Sequence, residues 1–261
     1  MRRALALEYD GRDFCGFQSQ PSGCSVQDAL ERALAAIAGA PVRVVAAGRT
    51  DAGVHATSQI VHFDAPVARP PPAWVRGVNA HLPAAAAVLW CMGVPEDFHA
   101  RFAAHARHYT YLIQNRPERP GLAAGHVGWH HAPLDAAAMQ AAARRLLGTH
   151  DFSSFRAAQC QAKSPVKTIS ELRVVRAGSI VRIDLSADAF LHHMVRNIVG
   201  ALVEVGAGKR PPEWMTELLE AADRTRGAPT FASDGLYFLG ASYDARFALP
   251  PTRRDLPLTL A

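Results

Sequence analysis

The chain has 261 residues, 49% hydrophobic and 20% charged, enough for one large domain or two modest ones at roughly 150 residues per domain. The composition is globular. No apolar run approaches the roughly 18 residues that would span a bilayer, and residues 1–10 lack a signal-peptide pattern, so the expectation is a cytoplasmic protein with no membrane partner. A formal charge of +5 and a pI near 9.3 suit a polyanionic partner such as nucleic acid. The charge is also clustered: residues 98–117 and 152–170 contain no Asp or Glu but carry Arg101, Arg107, Arg116, Arg156, Lys163 and Lys167. Acid-free basic windows of this kind can follow a phosphate backbone.

Taken in order, Arg3 to Tyr9 alternates as a strand that Asp10-Gly11 ends, and a Gly, Ser and Gln-rich loop from Arg12 to Gly23 follows. Ser25 then caps a helix, with Asp28 completing a capping-box variant and Val26, Ala29, Leu30, Ala33, Leu34 and Ile37 forming one apolar stripe before Gly39. Strands are expected over 42–45 and 59–63. Between them lies A-A-G-R-T-D-A-G-V-H, in which Gly48 and Gly53 bracket a turn holding Arg49 and Asp51. Aspartate and glycine are ordinary turn residues, so T-D-A-G alone means little. A turn pinned at both ends can nonetheless hold one side chain in a fixed pose, and an arginine folded back onto the carboxylate would keep it ionised.

Beyond a proline-dense connector at 66–72, a short helix is expected over 73–81 and strands over 88–94 and 108–114. The second half echoes the first: strand 108–114, helix 136–147 with Asp135 as N-cap, then strands 169–175 and 180–185. The expected architecture is therefore α+β, with two similar domains, each a mostly antiparallel sheet with helices on one face, and an active-site cleft between them. The boundary falls near residue 100, giving domains at 1–100 and 101–248 and a loosely ordered proline-rich tail at 249–261. A helix over 190–205 has a core face and a second side bearing His193, Arg196, Asn197 and Gly200, which is either a solvated face or a polar wall lining a cleft. The G-A-G-K at 206–209 follows a helix and lacks the Ser or Thr of a phosphate loop, so it reads as a helix terminus before a helix over 212–222. A last strand is expected over 236–243.

Cys15, Cys24, Cys91 and Cys160 contain no C-x-x-C pair, and the histidines give no clean three-ligand set. The expectation is four reduced thiols and no metal.

Together the blocks Y-D-G-R-D-F-C-G-F-Q, S-V-Q-D-A-L-E, G-R-T-D-A-G-V-H with its Q-x-V-H-F strand, G-V-N-A-H-L-P, D-F-H-A-R-F-A-A-H-A-R-H-Y-T-Y, D-F-S-S-F-R-A, F-L-H-H-M-V-R-N-I-V-G and D-G-L-Y-F resemble, in order, those of the TruA-type tRNA pseudouridine synthases. The resemblance implies that Asp51 is catalytic, Arg49 its ion-pair partner and a substrate contact, Tyr109 a base-stacking residue and Leu236 part of the pocket floor. It also implies isomerisation of uridine at about positions 38 to 40 of the tRNA anticodon arm, by a homodimer without cofactor or metal. Two departures stand out: Phe17 occupies a position where tryptophan is usual, and residues 230–234 lack the usual T-A-P-A run, which bears on the pocket edge near Leu236.

The chemistry suits one carboxylate. Breaking the N1 to C1′ bond, turning the uracil and rejoining it through C5 needs no electrons or energy source. An aspartate can attack the sugar carbon or add at C6 of the ring, and the residues alone leave both routes open. The base must leave its stack at a cost of a few kcal/mol, which an aromatic face such as Tyr109 offsets by roughly 1 to 3 kcal/mol.

Overall fold

The structure is a computed structural model describing residues 1–256. Its secondary structure is α+β, with mostly antiparallel strand pairing, as expected. The chain divides into two compact units, Met1–Arg107 with Tyr237–Leu256, and His108–Leu236. The division thus falls somewhat later than residue 100, and the last strand returns to the first unit instead of closing the second.

In the first unit, β1 (Arg2–Tyr9) pairs antiparallel with both β3 (His55–Asp64) and β4 (Ala86–Gly93), and β2 (Val45–Ala46) pairs antiparallel with β3. The other flank of β3 receives β10 (Leu236–Tyr243) in parallel, Tyr237 opposite His55. Helix α1 (Val26–Ala38) starts where its caps dictate: Ser25 Oγ accepts from the Asp28 amide, the Asp28 carboxylate accepts from the Ser25 amide, and Gly39 ends the helix at φ 72°. Helix α2 (Pro71–His81) begins with prolines, whose missing N–H groups cost nothing in a first turn, and packs on α1 and β4.

The expected strand at 42–45 shrinks to the two residues of β2, whereas the expected strand at 59–63 extends back to His55. The reason is burial: nine of the ten residues of β3 are buried, so Thr57 and Ser58, which precede the expected strand, are strand interior, as are Gln59 and His62 within it. The same holds in β5 (Ala104–Asn115), where every residue from His108 to Gln114 is buried. Its apparent polar face is internally bonded, His108 Nδ1 lying 2.8 Å from Ser186 Oγ and Thr110 Oγ1 donating to Asp184 at 2.6 Å.

In the second unit the strand order is β5, β9 (Ile180–Ala187), β8 (Val166–Ala177), β7 (Gly148–Asp151), with β6 (Gly128–His130) parallel to β5. Helix α3 (Ala136–Arg144) stops short of the expected 147, because Gly148 opens β7 instead of ending a helix. Helix α4 (Met194–Gly206) begins four residues later than expected, after His193 turns the backbone left-handed at φ 60°. Of its polar side, Asn197 and Gly200 are buried, whereas His193 and Arg196 are half-buried. Asn197 is 2% exposed, donates to Phe155 O and accepts from Arg224 and Thr230, and a Cβ on Gly200 would sit 2.3 Å from Pro229 O. Helix α5 spans Trp214–Ala221.

Two expectations about order and redox state are overturned. Part of the tail is docked: Arg254 N donates to Leu239 O, Thr57 Oγ1 to Arg254 O, and Gly240 bridges Arg253, made possible by the bare glycine backbone. Residues 257–261 of that tail lie outside the described residues. Cys15 and Cys24 are joined in a disulfide instead of being free thiols, because the loop doubles back until their Cα atoms are 5.6 Å apart, with Cys15 N donating to Cys24 O. Spacing alone carries no sign of this. Thiol titration of the chain unfolded without reductant should find two thiols, Cys91 and Cys160, and four after reduction. Four at the outset would show the pair to be open.

Candidate active site

Asp51 sits half-buried on the turn between β2 and β3. The turn closes on itself through Val54 N donating to Asp51 O at 3.2 Å, and of its two bracketing glycines only Gly53 has positive φ, 77°. What fixes it is the loop after β1. Phe17 N donates to Thr50 O at 2.9 Å and Gly53 N to Gly11 O at 3.3 Å, so two strangers in sequence grip the backbone on either side of Asp51. Both contacts need glycine on the gripping side. A Cβ on Gly11 would stand 2.2 Å from Val54 O, and one on Gly16, whose φ is +99°, would stand 2.9 Å from Thr50 O.

Side chains complete the grip. Gln59 Nε2 donates to Gly48 O at 2.8 Å and reaches the Tyr9 oxygen at 3.5 Å. That leaves the Tyr9 hydroxyl hydrogen for Thr50 Oγ1, 2.8 Å away. Burial raises the Tyr9 phenol to about 12, against the opposing effect of its two hydrogen-bond partners, so it stays a neutral donor. Next to this lies a charged corner: His55 Nδ1 is 3.1 Å from both Gly11 N and Asp10 Oδ1, its ring stacks on Tyr237 at 4.7 Å, and Arg12 forks onto Asp10. Burial of the Asp10 carboxyl opposes ionisation, but the Arg12 side-chain and backbone bonds and the field of His55 outweigh it and hold the pKa at about 2.

Of the residues singled out from sequence, Asp51 and Arg49 share this turn in the first unit. Arg49 is exposed and, among the described residues, forms no ion pair, so the expected pairing with Asp51 is absent here. Tyr109 and Leu236 belong to the second unit. Tyr109 lies on β5, 8% exposed and edge-to-face with Phe190 at 5.0 Å; Leu236 opens β10, 5% exposed, just after Gly235, whose carbonyl accepts from Leu112 N. Sequence reasoning missed the supporting set of Tyr9, Gly11, Gly16 and Gln59. Their signal was present in the flanking blocks, but no local pattern says that a strand-end tyrosine and a strand glutamine meet at one turn.

A family model described as tRNA pseudouridine synthase matches residues 5–103 and 142–244. Curated relatives named tRNA pseudouridine synthase A include that of Thiobacillus denitrificans, 59% identical over 98% of this chain and 99% of its own. That of Dechloromonas aromatica is 59% identical over 98% and 97%, and that of Methylobacillus flagellatus 56% identical over the full length of both.

Two outcomes follow from the grip. Gly16→Ala should cost about 1 to 3 kcal/mol of stability, from the strained φ and the overlap with Thr50 O, and lower activity further than that loss explains; thermal unfolding and turnover measured together would expose an undisturbed turn by leaving both unchanged. Because the folded pKa of Asp10 lies below its unfolded value near 3.8, its stabilisation is full above about pH 4 and lost as pH falls through about 2. Asp10→Asn should therefore cost about 1 to 2 kcal/mol near neutrality, with the gap to wild type closing toward pH 2 in denaturant titrations; a gap independent of pH would refute the assignment.

Proposed function

The chain belongs to the tRNA pseudouridine synthase family, and on that premise we propose that it isomerises uridine in the anticodon stem-loop of tRNA, at about positions 38 to 40, with Asp51 as the catalytic carboxylate. Isomerisation of a tRNA uridine, without a cofactor, is the activity of the family. The carrying observation is the setting of Asp51, a half-buried carboxylate on a turn whose backbone is bonded on both flanks to the loop after β1.

In this reading Asp51 supplies the nucleophile and the turn supplies its aim. Holding a reactive oxygen in place before substrate arrives lowers the barrier by removing freedom that would otherwise be lost at the transition state. A departing uracil anion delocalises over two carbonyls, so no strong general acid is required, and one aspartate suffices whether it attacks C1′ or C6. Arg49 extends into solvent beside the turn, which suits a guanidinium that meets the RNA backbone or occupies the gap left by the extruded base. Tyr109 is assigned to stack the detached base and Leu236 to the pocket floor, both by resemblance. The resemblance likewise supports a homodimer, which sedimentation at twice 28.1 kDa would verify and a monomer would refute, and a cytoplasmic location fits a tRNA substrate.

The decisive assay incubates the protein with unmodified tRNA tritiated at uracil C5 and follows tritium release, with chelator present. Wild type should release tritium at its full rate, and Asp51→Asn should lose roughly a thousandfold or more while still binding tRNA. Release by Asp51→Asn at a comparable rate would remove the catalytic assignment; release abolished by chelator in wild type would favour a metal-dependent reaction instead.

A further inference from the structure

Phe102 is 77% exposed, yet the turn that carries it is bonded and packed along its length. Phe98, fully buried, plugs the turn into the core against Tyr243 and Phe247. Tyr243 Oη donates to Ala100 O at 2.7 Å, and Ala100 N donates to His62 Nδ1 at 3.1 Å. His99 Nδ1 accepts from the amides of both Arg101 and Phe102 at 3.2 Å, fixing its ring. That ring then stacks under one face of Phe102, centroids 4.3 Å apart and planes 26° from parallel. An isolated exposed apolar side chain is ordinary and needs no account. A ring backed by a second ring, on a turn tied down at every residue from 98 to 102, has been stiffened in a way that burial does not require.

The surroundings say what the ring is offered to. Arg101 places its guanidinium 5.6 Å from the Phe102 centroid, and the stretch from 98 to 117 holds no acid, so the partner carries a π-face and negative charge together. Burial comes first in holding the His99 imidazole below its ordinary pKa; a backbone hydrogen bond opposes it, and Arg2 and Arg101 act in the same direction as burial. Position links the turn to the chemistry. Arg107 donates to Arg101 O and, at 3.3 Å, to Ala47 O, immediately before the Asp51 turn.

The geometry points to Phe102 as a stacking platform for an unpaired tRNA base flanking the target uridine, with Arg101 on the adjoining phosphate. This rests on the tRNA reading above and adds a contact that the family assignment does not supply. The platform acts on binding and leaves the chemical step alone.

Its test measures kcat and KM for C5-tritiated tRNA with wild type, Phe102→Ala, Phe102→Leu and Phe102→Trp at one salt concentration, beside filter binding of the same tRNA. Stacking on an aromatic is worth roughly 1 to 3 kcal/mol, so Phe102→Ala should raise KM and Kd by about 5- to 150-fold with kcat unchanged. Trp should restore wild-type values and Leu should not, because Leu replaces apolar bulk without a π-face. Unaltered KM and Kd in Phe102→Ala, or equal rescue by Leu and Trp, would overturn the platform. A wild type that releases no tritium would instead overturn the tRNA isomerase reading, and the filter-binding ratios would still decide the platform.

Discussion

Everything the site offers depends on one backbone contact, the Thr50 carbonyl accepting from Phe17 N across the bare Cα of Gly16. It joins the turn between β2 and β3 to a loop that precedes it by one helix, and so converts a short connection into a held pose. A hydrogen bond of this kind contributes only about 1 kcal/mol net. Its importance is geometric: with Gly11 gripping the far side at Gly53, the Asp51 backbone has support on both flanks and little room to swing. The Cys15–Cys24 bridge closes the loop that does the gripping, which limits how far Gly16 can drift from Thr50.

Polar groups do in this unit what apolar packing does elsewhere. Tyr9, Thr50 and Gln59 are all at most 7% exposed, and their mutual bonds specify one arrangement where a greasy contact would tolerate several. The arrangement has a cost, since Gln59 Oε1 is buried without a hydrogen-bond partner among the described residues. Keeping such an orphan is reasonable only where the amide nitrogen is needed more, here on Gly48 O. The same economy appears in the second unit at Asn197, whose amide holds three separate segments together.

Much of the fold is legible in the sequence because its local signals agree. The Ser25–Asp28 box, Gly39 and the apolar stripe place α1 to the residue, and α2 begins only two residues ahead of its expected start. Expectations fail where long-range contact overrides pattern. Strand β3 starts at His55, ahead of its apolar pattern, with Thr57 and Ser58 buried in its interior; the prolines at 250 and 251 suggest slack chain, though Arg254 is bonded to β10 and β3. Cys15 and Cys24 meet because a loop doubles back, a fact of tertiary geometry that spacing does not encode. The site divides the same way. Asp51 stands out because a contiguous motif surrounds it, while the residues that hold its turn are scattered from Tyr9 to Gln59 and become a set only in three dimensions.

The central claim is that this turn is formed before any RNA arrives. Amide hydrogen exchange on the free protein tests it directly, at Phe17, Gly53 and Val54, the three donors that close the grip. Protection close to that of the buried amides of β1 and β3 is the predicted result. Exchange as fast as in an open loop, with protection appearing only when tRNA is added, would contradict it and move the ordering of Asp51 to the binding step.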